Sequence, residues 1–207
     1  MKVREKRAKS LILKYKKKDS WFQCRYGFNI YRGCEHGCLY CDGRNNFYWP
    51  KGGNEKFSQE IIAKVNAPFL LENELLKIKS KEVICIGGGV NDSYQQCEKK
   101  YNLTRKCLTV IQKYNFPIHL ITKSQLVIRD LDILTEISKK TRCCVSITIS
   151  LMNEKLVDFF EPHAPSTQSR IESMKKLSKK GIKTGVTFMP ILPFIGDKDK
   201  NIEKVIK

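Results

Sequence analysis

Three cysteines lie close together near the start of the chain, in the segment YRGCEHGCLYCDGR at residues 31–44. Their spacing is C-x3-C-x2-C, which gives Cys34, Cys38 and Cys41. A structural zinc ion needs four ligands and a disulfide needs two cysteines. Three thiolates can hold a cubane [4Fe–4S] cluster and leave its fourth iron with an open position, as a catalytic metal site requires. The spacing therefore predicts an iron–sulfur cluster that binds a further ligand.

A zinc site is the alternative interpretation of the same segment. Cys34, Cys38 and Cys41 would supply three zinc ligands, and either His36 or Cys24 would supply the fourth. Zinc ligands usually occur as two separated pairs, and no second pair stands at such a spacing. In this interpretation the chain would be a zinc-stabilised, basic nucleic-acid-binding module without catalysis. Four further cysteines lie on apolar runs and are predicted to be core thiols: Cys85, Cys107, Cys143 and Cys144.

The composition indicates one globular domain that does not enter a membrane. Of the 207 residues, 41% are hydrophobic and 29% are charged, an ordinary mixture for a domain with its own core. The N-terminus lacks the long apolar region of a secretory signal, and no run of about 18 apolar residues is present. We therefore predict a cytoplasmic protein whose nine cysteines are reduced.

The strong positive charge allows two interpretations. The net charge is +18, and the densest basic run contains Lys14, Lys16, Lys17 and Lys18. Lysines that neutralise phosphates release counterions, which favours a nucleic-acid partner. Lysines are also spread along the whole chain, as on a merely solvated surface.

Strand and helix patterns alternate along the chain, which predicts βα units around a parallel sheet. About five units are present, so we expect a partial barrel that appears truncated after the fifth. Residues 1–20 are predicted to be a basic N-terminal segment, and residues 21–207 a C-terminally incomplete core domain. The predicted strands are 25–31, 82–89, 117–124, 143–150 and 182–193, and the predicted helices are 57–65, 68–79, 103–115, 131–141 and 169–181.

Residues suited to chemistry follow successive predicted strands. The carboxyl ends of parallel strands meet at one rim, where βα folds build their active sites. We therefore expect these residues to converge there with the cysteine loop. In strand order, the residues after the second, third, fourth and fifth strands are Gly87, Gly88, Gly89, Lys123, Ser124, Ser150, Pro190 and Pro193.

The C-x3-C-x2-C spacing with an aromatic residue before the last cysteine resembles the signature of radical S-adenosylmethionine (SAM) enzymes. Later segments resemble the spore photoproduct lyase-related branch of that superfamily, over residues 22–197. These segments are GGGVNDSYQQCEKKYNLTRKCL, FPIHLITKSQLVIRDLDIL, VSITIS and FEPHAPSTQSRIESMKKLSKKGI. The cysteine motif is the basis of the resemblance to the superfamily, and the later segments are the basis of the resemblance to this branch.

The resemblance implies a partial, six-unit (β/α) barrel and a lyase-like radical enzyme. The open iron of the [4Fe–4S] cluster would bind the methionyl group of SAM. An electron donor such as flavodoxin or ferredoxin would reduce the cluster, and SAM would be cleaved to a 5′-deoxyadenosyl radical. The substrate is unknown from the sequence, and nucleic acid is one possibility. An inactive, truncated remnant is a further alternative.

The resemblance also carries over to individual positions. Cys34, Cys38 and Cys41 would be the cluster ligands, and Tyr40 would lie near the adenine of SAM. The backbone of the glycine stretch would meet the methionyl amino group, because glycine permits a close approach. That stretch consists of Gly87, Gly88 and Gly89.

Further contacts to SAM are implied by polar residues on later segments. Lys123 and Ser124 would meet the methionyl carboxylate. Ser146 and Ser150 would contact the ribose. Arg170 would pair with a carboxylate, although the alternative of a charge on the surface of a helix stays open.

The sequence departs from photoproduct lyase proper at the end of the second strand. There the lyase has a cysteine that donates a hydrogen atom, and Gly89 stands at the matching position. This difference predicts a substrate other than spore photoproduct.

Overall fold

The computed structural model describes residues 1–45 and 56–206. Over these residues the chain folds into two β-sheets flanked by helices. In chain order the strands are β1 (Lys2–Lys6), β2 (Leu13–Lys14), β3 (Tyr26–Phe28), β4 (Tyr31–Arg32), β5 (Glu60–Lys64), β6 (Ile84–Ile86), β7 (Ile118–Thr122), β8 (Cys143–Thr148) and β9 (Lys183–Thr187). The α-helices are α1 (Ala67–Leu75), α2 (Glu98–Tyr101), α3 (Leu103–Tyr114), α4 (Leu131–Lys140), α5 (Glu154–Phe160), α6 (Thr167–Lys179) and α7 (Asp199–Ile206).

The larger sheet confirms the predicted α/β architecture. Its strand order is β2-β3-β6-β7-β8-β9. The last five strands in this order, from β3 onward, run parallel to one another. Among the described strands of this sheet, only β2, at one edge, is antiparallel to its neighbour. Helices follow the strands along the chain, so the sheet forms the partial barrel of about five βα units that the alternation predicts.

The two faces of the larger sheet have different surroundings. On each strand, every second residue faces the helices. Such residues, for example Ile118 and Leu120 on β7 and Val145 on β8, are apolar and fully buried. The intervening positions, such as His119, Ile121 and Cys144, face the barrel interior, because successive side chains on a strand point to opposite faces. Helix α3 contributes Leu103, Cys107, Leu108 and Ile111 to the main core, which confirms the helical spacing in the sequence.

A smaller, three-stranded sheet was not expected from the sequence. Its order is β1-β5-β4, with β1 parallel and β4 antiparallel to β5. The helix predicted over 57–65 is therefore wrong, because residues 60–64 form strand β5. The basic residues 1–20 contribute β1 to this sheet and β2 to the larger one, so both sheets include part of the N-terminal segment.

Strand β9 is the second edge of the larger sheet. Among the described strands it pairs with β8 alone. Apolar side chains near it are exposed, including Val186 and Phe194. Across residues 1–45 and 56–206, none of the helices has the length and apolar character needed to traverse a bilayer.

Candidate functional site

The cysteine loop leaves the barrel after β3 and β4 and is held by hydrogen bonds along its length. The amide of Cys34 donates to the carbonyl of Phe57 at 3.1 Å, which fixes the start of the loop. The guanidinium of Arg44 donates to the carbonyl of Cys38 at 2.8 Å and to that of Gly37 at 2.6 Å. Arg44 is therefore a local contact of the loop.

The three cysteines open onto a cavity of about 250 Å³ at the carboxyl ends of the parallel strands. Thr122, Thr148 and Thr187, the last residues of β7, β8 and β9, line it from the barrel side. The cavity brings together much of the predicted site. The predicted residues that line it are Cys34, Cys38, Tyr40, Cys41, Gly88, Gly89 and Lys123.

The glycine stretch after β6 shapes one wall. A Cβ atom on Gly87 would lie 2.7 Å from the carbonyl oxygen of Ile121, so the backbone there packs against β7 and leaves no space for a side chain. Gly89 has φ +73, and a Cβ atom on it would meet nothing within 4 Å, since it faces the open cavity. Gly89 thus presents bare backbone to whatever occupies the cavity.

The three predicted serines are engaged elsewhere and do not line this cavity. The Ser124 hydroxyl accepts from the amide of Leu126 and faces a neighbouring cavity of about 590 Å³. The Ser146 hydroxyl lies 2.7 Å from Nε2 of His119, inside the barrel. The buried Ser150 hydroxyl donates to the carbonyl of Met189 at 2.8 Å. Their predicted contacts with SAM stay predictions, and the structure gives each of them a protein partner.

Arg170 is buried, with 1% of its surface exposed, so the alternative of a surface charge on the helix is wrong. Its guanidinium pairs with the carboxylate of Glu161 and donates to the carbonyls of Thr148 at 3.1 Å and Pro165 at 2.9 Å. The carboxylate that it meets is therefore a protein group rather than the cavity's occupant.

Glu161 joins several site residues into one buried network. Its carboxylate accepts from the Tyr40 hydroxyl and from Arg170, and the Lys123 ammonium lies 4.0 Å away. The same ammonium stands 5.6 Å from the centre of the Tyr40 ring. Burial would raise the pKa of Glu161, but Lys123 and Arg170 outweigh it and lower that pKa. The ionised carboxylate fixes both Tyr40 and Lys123 at the cavity wall.

Asp92 joins the cysteine loop to β7. Its carboxylate lies 3.1 Å from Nε2 of His36 and accepts from the Thr122 hydroxyl at 2.7 Å, the Lys123 amide at 2.8 Å and the Tyr94 amide at 2.8 Å. Burial opposes ionisation of Asp92 and would raise its pKa. The hydrogen bond from His36, the charge of His36 and the two backbone amides outweigh burial and lower the pKa of Asp92 to about 2. The loop that carries the thiols is thereby tied to the end of β7 and to Lys123, which follows it.

The chemistry of the donors suits a soft metal cluster. Burial raises the pKa of the Cys34 and Cys41 thiols, and it raises that of Cys38 to about 11 despite the nearby Lys123. A metal must therefore displace protons when it binds these thiols. Among residues 1–45 and 56–206, no three His, Cys, Asp or Glu side chains surround one point that a single ion would occupy. A cubane does not require this, because each thiolate binds a different iron.

One residue that lines the cavity carries a buried acceptor without a partner in the described part of the chain. Asn91 lines the cavity, and its amide nitrogen donates to the carbonyl of Tyr31 at 3.2 Å. Its Oδ1 atom is buried and has no hydrogen-bond partner in the described part of the chain. An orphaned acceptor is costly unless a donor satisfies it, so Oδ1 of Asn91 is a candidate acceptor for a donor group of the cavity's occupant.

A match to a known protein family shows to which superfamily the chain belongs. The Radical SAM superfamily matches residues 28–206, which is most of the chain. The chain belongs to the radical SAM superfamily. Among curated relatives, an uncharacterized protein of Methanocaldococcus jannaschii is 34% identical over 84% of this chain and 62% of its own length. An uncharacterized protein of Mycobacterium bovis is 26% identical over 88% of this chain and 54% of its own.

Solved structures show the same radical SAM fold. Spore photoproduct lyase complexed with dinucleoside spore photoproduct superimposes with a TM-score of 0.66 and 20% identity, over 92% of this chain and 52% of the other. A mutant of that lyase with bound SAM and the same dinucleoside gives a TM-score of 0.66 at 19% identity, over 91% and 52%. This chain thus spans little more than half the length of the proteins that it matches.

Sequence reasoning missed the residues that connect the radical SAM site. Glu161 and Asp92 stand inside segments that carry the family resemblance, but neither was assigned a role. A signal was present for Asp92, an acidic residue just beyond the predicted strand 82–89 at the site rim. Glu161 follows helix α5, which the sequence did not predict, so no such signal pointed to it. The partner of Asp92 is His36, 56 residues away along the chain, and the partner of Glu161 is Arg170, 9 residues away.

Proposed function

We propose that this chain binds a [4Fe–4S] cluster through Cys34, Cys38 and Cys41 and cleaves SAM reductively in the adjoining cavity. One observation carries the proposal. The three thiols share a single cavity with the bare glycine backbone after β6 and with Lys123 from β7. Soft thiol donors on one wall and a cationic, polar wall opposite suit a cluster next to an amino acid group.

Residues of this chain have distinct tasks in that proposal. When bound, the cluster supplies an electron that breaks the sulfonium bond of SAM and gives a carbon radical. Lys123 would attract the methionyl carboxylate, and Oδ1 of Asn91 would accept from the methionyl ammonium. Tyr40, held by Glu161, would pack beside the adenosyl part.

The apolar floor of the cavity would keep water from a radical. Phe22, Ile121 and Met189 line the cavity. Apolar lining that excludes water limits side reactions of reactive intermediates. Reduction of the cluster needs an external electron donor such as flavodoxin or ferredoxin, and Cys41, the most exposed of the three ligands, marks the side from which the electron would enter.

Anaerobic reconstitution with iron and sulfide tests the cluster. We expect about four irons and four sulfides per chain, because three-thiolate loops hold cubanes. Replacing Cys34, Cys38 or Cys41 by Ala should abolish binding. The matched control is Cys143→Ala, which removes a thiol 2% exposed on β8 and should leave the iron content unchanged. Stoichiometric zinc without acid-labile sulfide would instead support the zinc-stabilised module.

Nucleic acid is the substrate class that we propose for testing. The net charge of +18 favours a polyanionic partner, and a lyase of the same fold is known in complex with a dinucleoside photoproduct. Lys14, Lys16, Lys17 and Lys18 are exposed. Lys18 pairs with Glu82 at 2.7 Å, just before β6. This basic run therefore lies at the amino ends of the strands, opposite the cysteine loop. It would hold flanking parts of a long polyanion and not the reacting nucleotide, so the net charge and the likeness to the lyase support the proposal, and the run itself does not.

A further inference from the structure

A second group of thiols lies inside the barrel, at the end of the strands opposite the SAM cavity. Cys144 is the second residue of β8, and Thr148 at the cavity is four residues further on, about 13 Å along a strand. Cys24 and Cys85 pack with Ile121 in a small cluster of their own. Ile121 lines the SAM cavity, but Cys24, Cys85 and Cys144 do not, so the proposed radical chemistry does not use these thiols.

Cys144 has a cationic neighbour on each side. In the strand register, His119 of β7 stands directly beside Cys144, and Lys183 of β9 stands directly beside it on the other side. Directly paired residues on neighbouring strands put their side chains on the same face. Ser146 is on that face too, two residues further along β8. A thiol placed between an imidazole and an ammonium is surrounded by groups that stabilise its anion.

The hydrogen bonds of His119 are consistent with a protonated ring. Nδ1 lies 3.4 Å from the carbonyl oxygen of Phe22, which can only accept, so Nδ1 carries a proton. Nε2 lies 2.7 Å from the Ser146 hydroxyl, which can accept from it and donate onward to Cys144. The ring is also fixed by an edge-on contact with Phe22, with centroids 5.3 Å apart.

The titration of the two groups agrees with this geometry. Burial would raise the pKa of the Cys144 thiol, but His119, Ser146 and Lys183 outweigh it, and the pKa is lowered. Burial would lower the pKa of His119, but the thiols of Cys144 and Cys24 raise it to about 10. The other titratable neighbour on β8 is Cys143, whose pKa burial raises to about 12. Cys24 is hydrogen-bonded to Cys85, and that bond raises the Cys24 pKa.

We propose that Cys144 is a nucleophilic cysteine, held as a thiolate by His119, Ser146 and Lys183, which reacts with soft electrophiles and in particular with small disulfides. It is partly exposed, whereas Cys143, its neighbour, is 2% exposed on the opposite face of β8. In the reaction, the Cys144 sulfur attacks one sulfur of a disulfide such as oxidised glutathione. A new S–S bond forms, the original S–S bond breaks, and the leaving thiolate takes a proton from solvent.

The test is site-resolved alkylation by iodoacetamide from pH 5.5 to 9.5, followed by peptide mass spectrometry. We expect Cys144 to react at pH 7 at least about tenfold faster than Cys143, with a midpoint below the ordinary thiol pKa of about 8.5. His119→Gln should move the midpoint upward and slow the reaction at pH 7 by about tenfold. Incubation with oxidised glutathione should give a mixed disulfide at Cys144 that dithiothreitol reverses.

Two outcomes would overturn the proposal. One is a midpoint for Cys144 at or above that of an ordinary thiol in the unmodified protein. The other is a midpoint that neither His119→Gln nor Ser146→Ala shifts while Cys143 stays protected, since protection of Cys143 shows that the barrel is intact. If His119→Gln exposes Cys143, the milder Ser146→Ala variant, which leaves the imidazole in place, decides between these results.

Discussion

Gly89 is the residue at which the cavity wall consists of backbone alone. Its φ of +73 and the open space beside it mean that any side chain there would enter the cavity. The sequence predicts this glycine as a contact of SAM, and the structure places it at the cavity. Its conformation adds a cost for any other residue, because positive φ disfavours side chains.

A valine at position 89 should therefore block SAM without releasing the cluster. We expect Gly89→Val to weaken SAM binding at least about tenfold, equivalent to about 1.4 kcal/mol, with iron content unchanged. Gly181→Val is the matched control, because Gly181 has φ +75 and nothing within 4 Å but lies after α6, away from the cavity. Equilibrium binding of SAM to both reconstituted variants gives the comparison. Equal affinity in the two variants would show that SAM does not approach this wall.

Asp92 makes the stability of the site depend on pH. Its pKa is about 2 in the folded chain and 3.8 ordinarily, so folding favours the ionised form. That contribution is fully present above pH 3.8 and is lost as the pH falls toward 2. A shift of this size corresponds to about 2 kcal/mol.

Urea unfolding at pH 5 and pH 2.5 measures this contribution. From pH 5 to pH 2.5 the unfolding free energy of both proteins should fall. The fall should be about 1.5 kcal/mol smaller in Asp92→Asn than in the unmodified chain. Asp158→Asn changes an exposed carboxylate on α5 and should behave like the unmodified chain. If Asp92→Asn and Asp158→Asn show the same pH dependence, the Asp92 network does not stabilise the fold.

The residue types of the site were predictable, and their partners were not. Cys34, Cys38 and Cys41 are recognisable from spacing alone, because their chemistry needs one short loop. Arg170 could not be separated from a surface charge in the sequence, since its partner Glu161 is fixed by the way α6 packs under the cavity. Side-chain pairing depends on tertiary packing that no local pattern records.

At the scale of elements, the alternation predicts the five parallel strands of the larger sheet and helices α1, α3, α4 and α6. It misses β1, β2, β4, α2 and α5, and it wrongly predicts a helix over residues 57–65. That segment mixes helix-forming Glu60, Ala63 and Lys64 with β-branched Ile61 and Ile62. Its burial alternates, with Ile61 and Ala63 fully buried. The pairing with β1, nearly 60 residues away, supplies the reason, because strand formation depends on neighbours more than on propensity.

Strand β5 should support the cysteine loop through one face. Ile61 is fully buried in the main core, while its neighbour Ile62 is partly exposed on the other face. We expect Ile61→Ala to lower the unfolding free energy by about 2–5 kcal/mol, the usual cost of such a cavity. Ile62→Ala, the matched change one residue along, should cost about 1 kcal/mol or less. Chemical denaturation of both variants checks this, and similar losses would contradict the assigned strand register.

At the scale of the whole molecule, the densest basic run is separated from the cavity of the cysteine loop. The lysine run at residues 14–18 lies at the amino ends of the strands, and the cysteine loop lies at the carboxyl ends. The charge was evident from composition, but its position depends on the β2–β3 pairing, which the sequence did not predict. Binding of a polyanion by this run and cleavage of SAM should therefore respond separately to mutation.

Neutralising the run tests that separation. If it binds nucleic acid, affinity should fall steeply from 50 to 200 mM salt, with about −0.9 in log–log slope for each neutralised phosphate of duplex DNA. Changing Lys14, Lys16, Lys17 and Lys18 to Gln should flatten the slope and leave SAM cleavage without nucleic acid unchanged. A slope that is identical in both proteins would exclude this run as the contact surface.

The most direct test of the central claim is reductive cleavage of SAM by the reconstituted chain. The protein is reduced with dithionite without oxygen, and 5′-deoxyadenosine is measured by mass spectrometry. The account predicts its formation by the unmodified chain and by Cys143→Ala, and its absence for Cys38→Ala. No 5′-deoxyadenosine from a chain that holds four irons and four sulfides, or equal amounts from Cys38→Ala, would contradict the account.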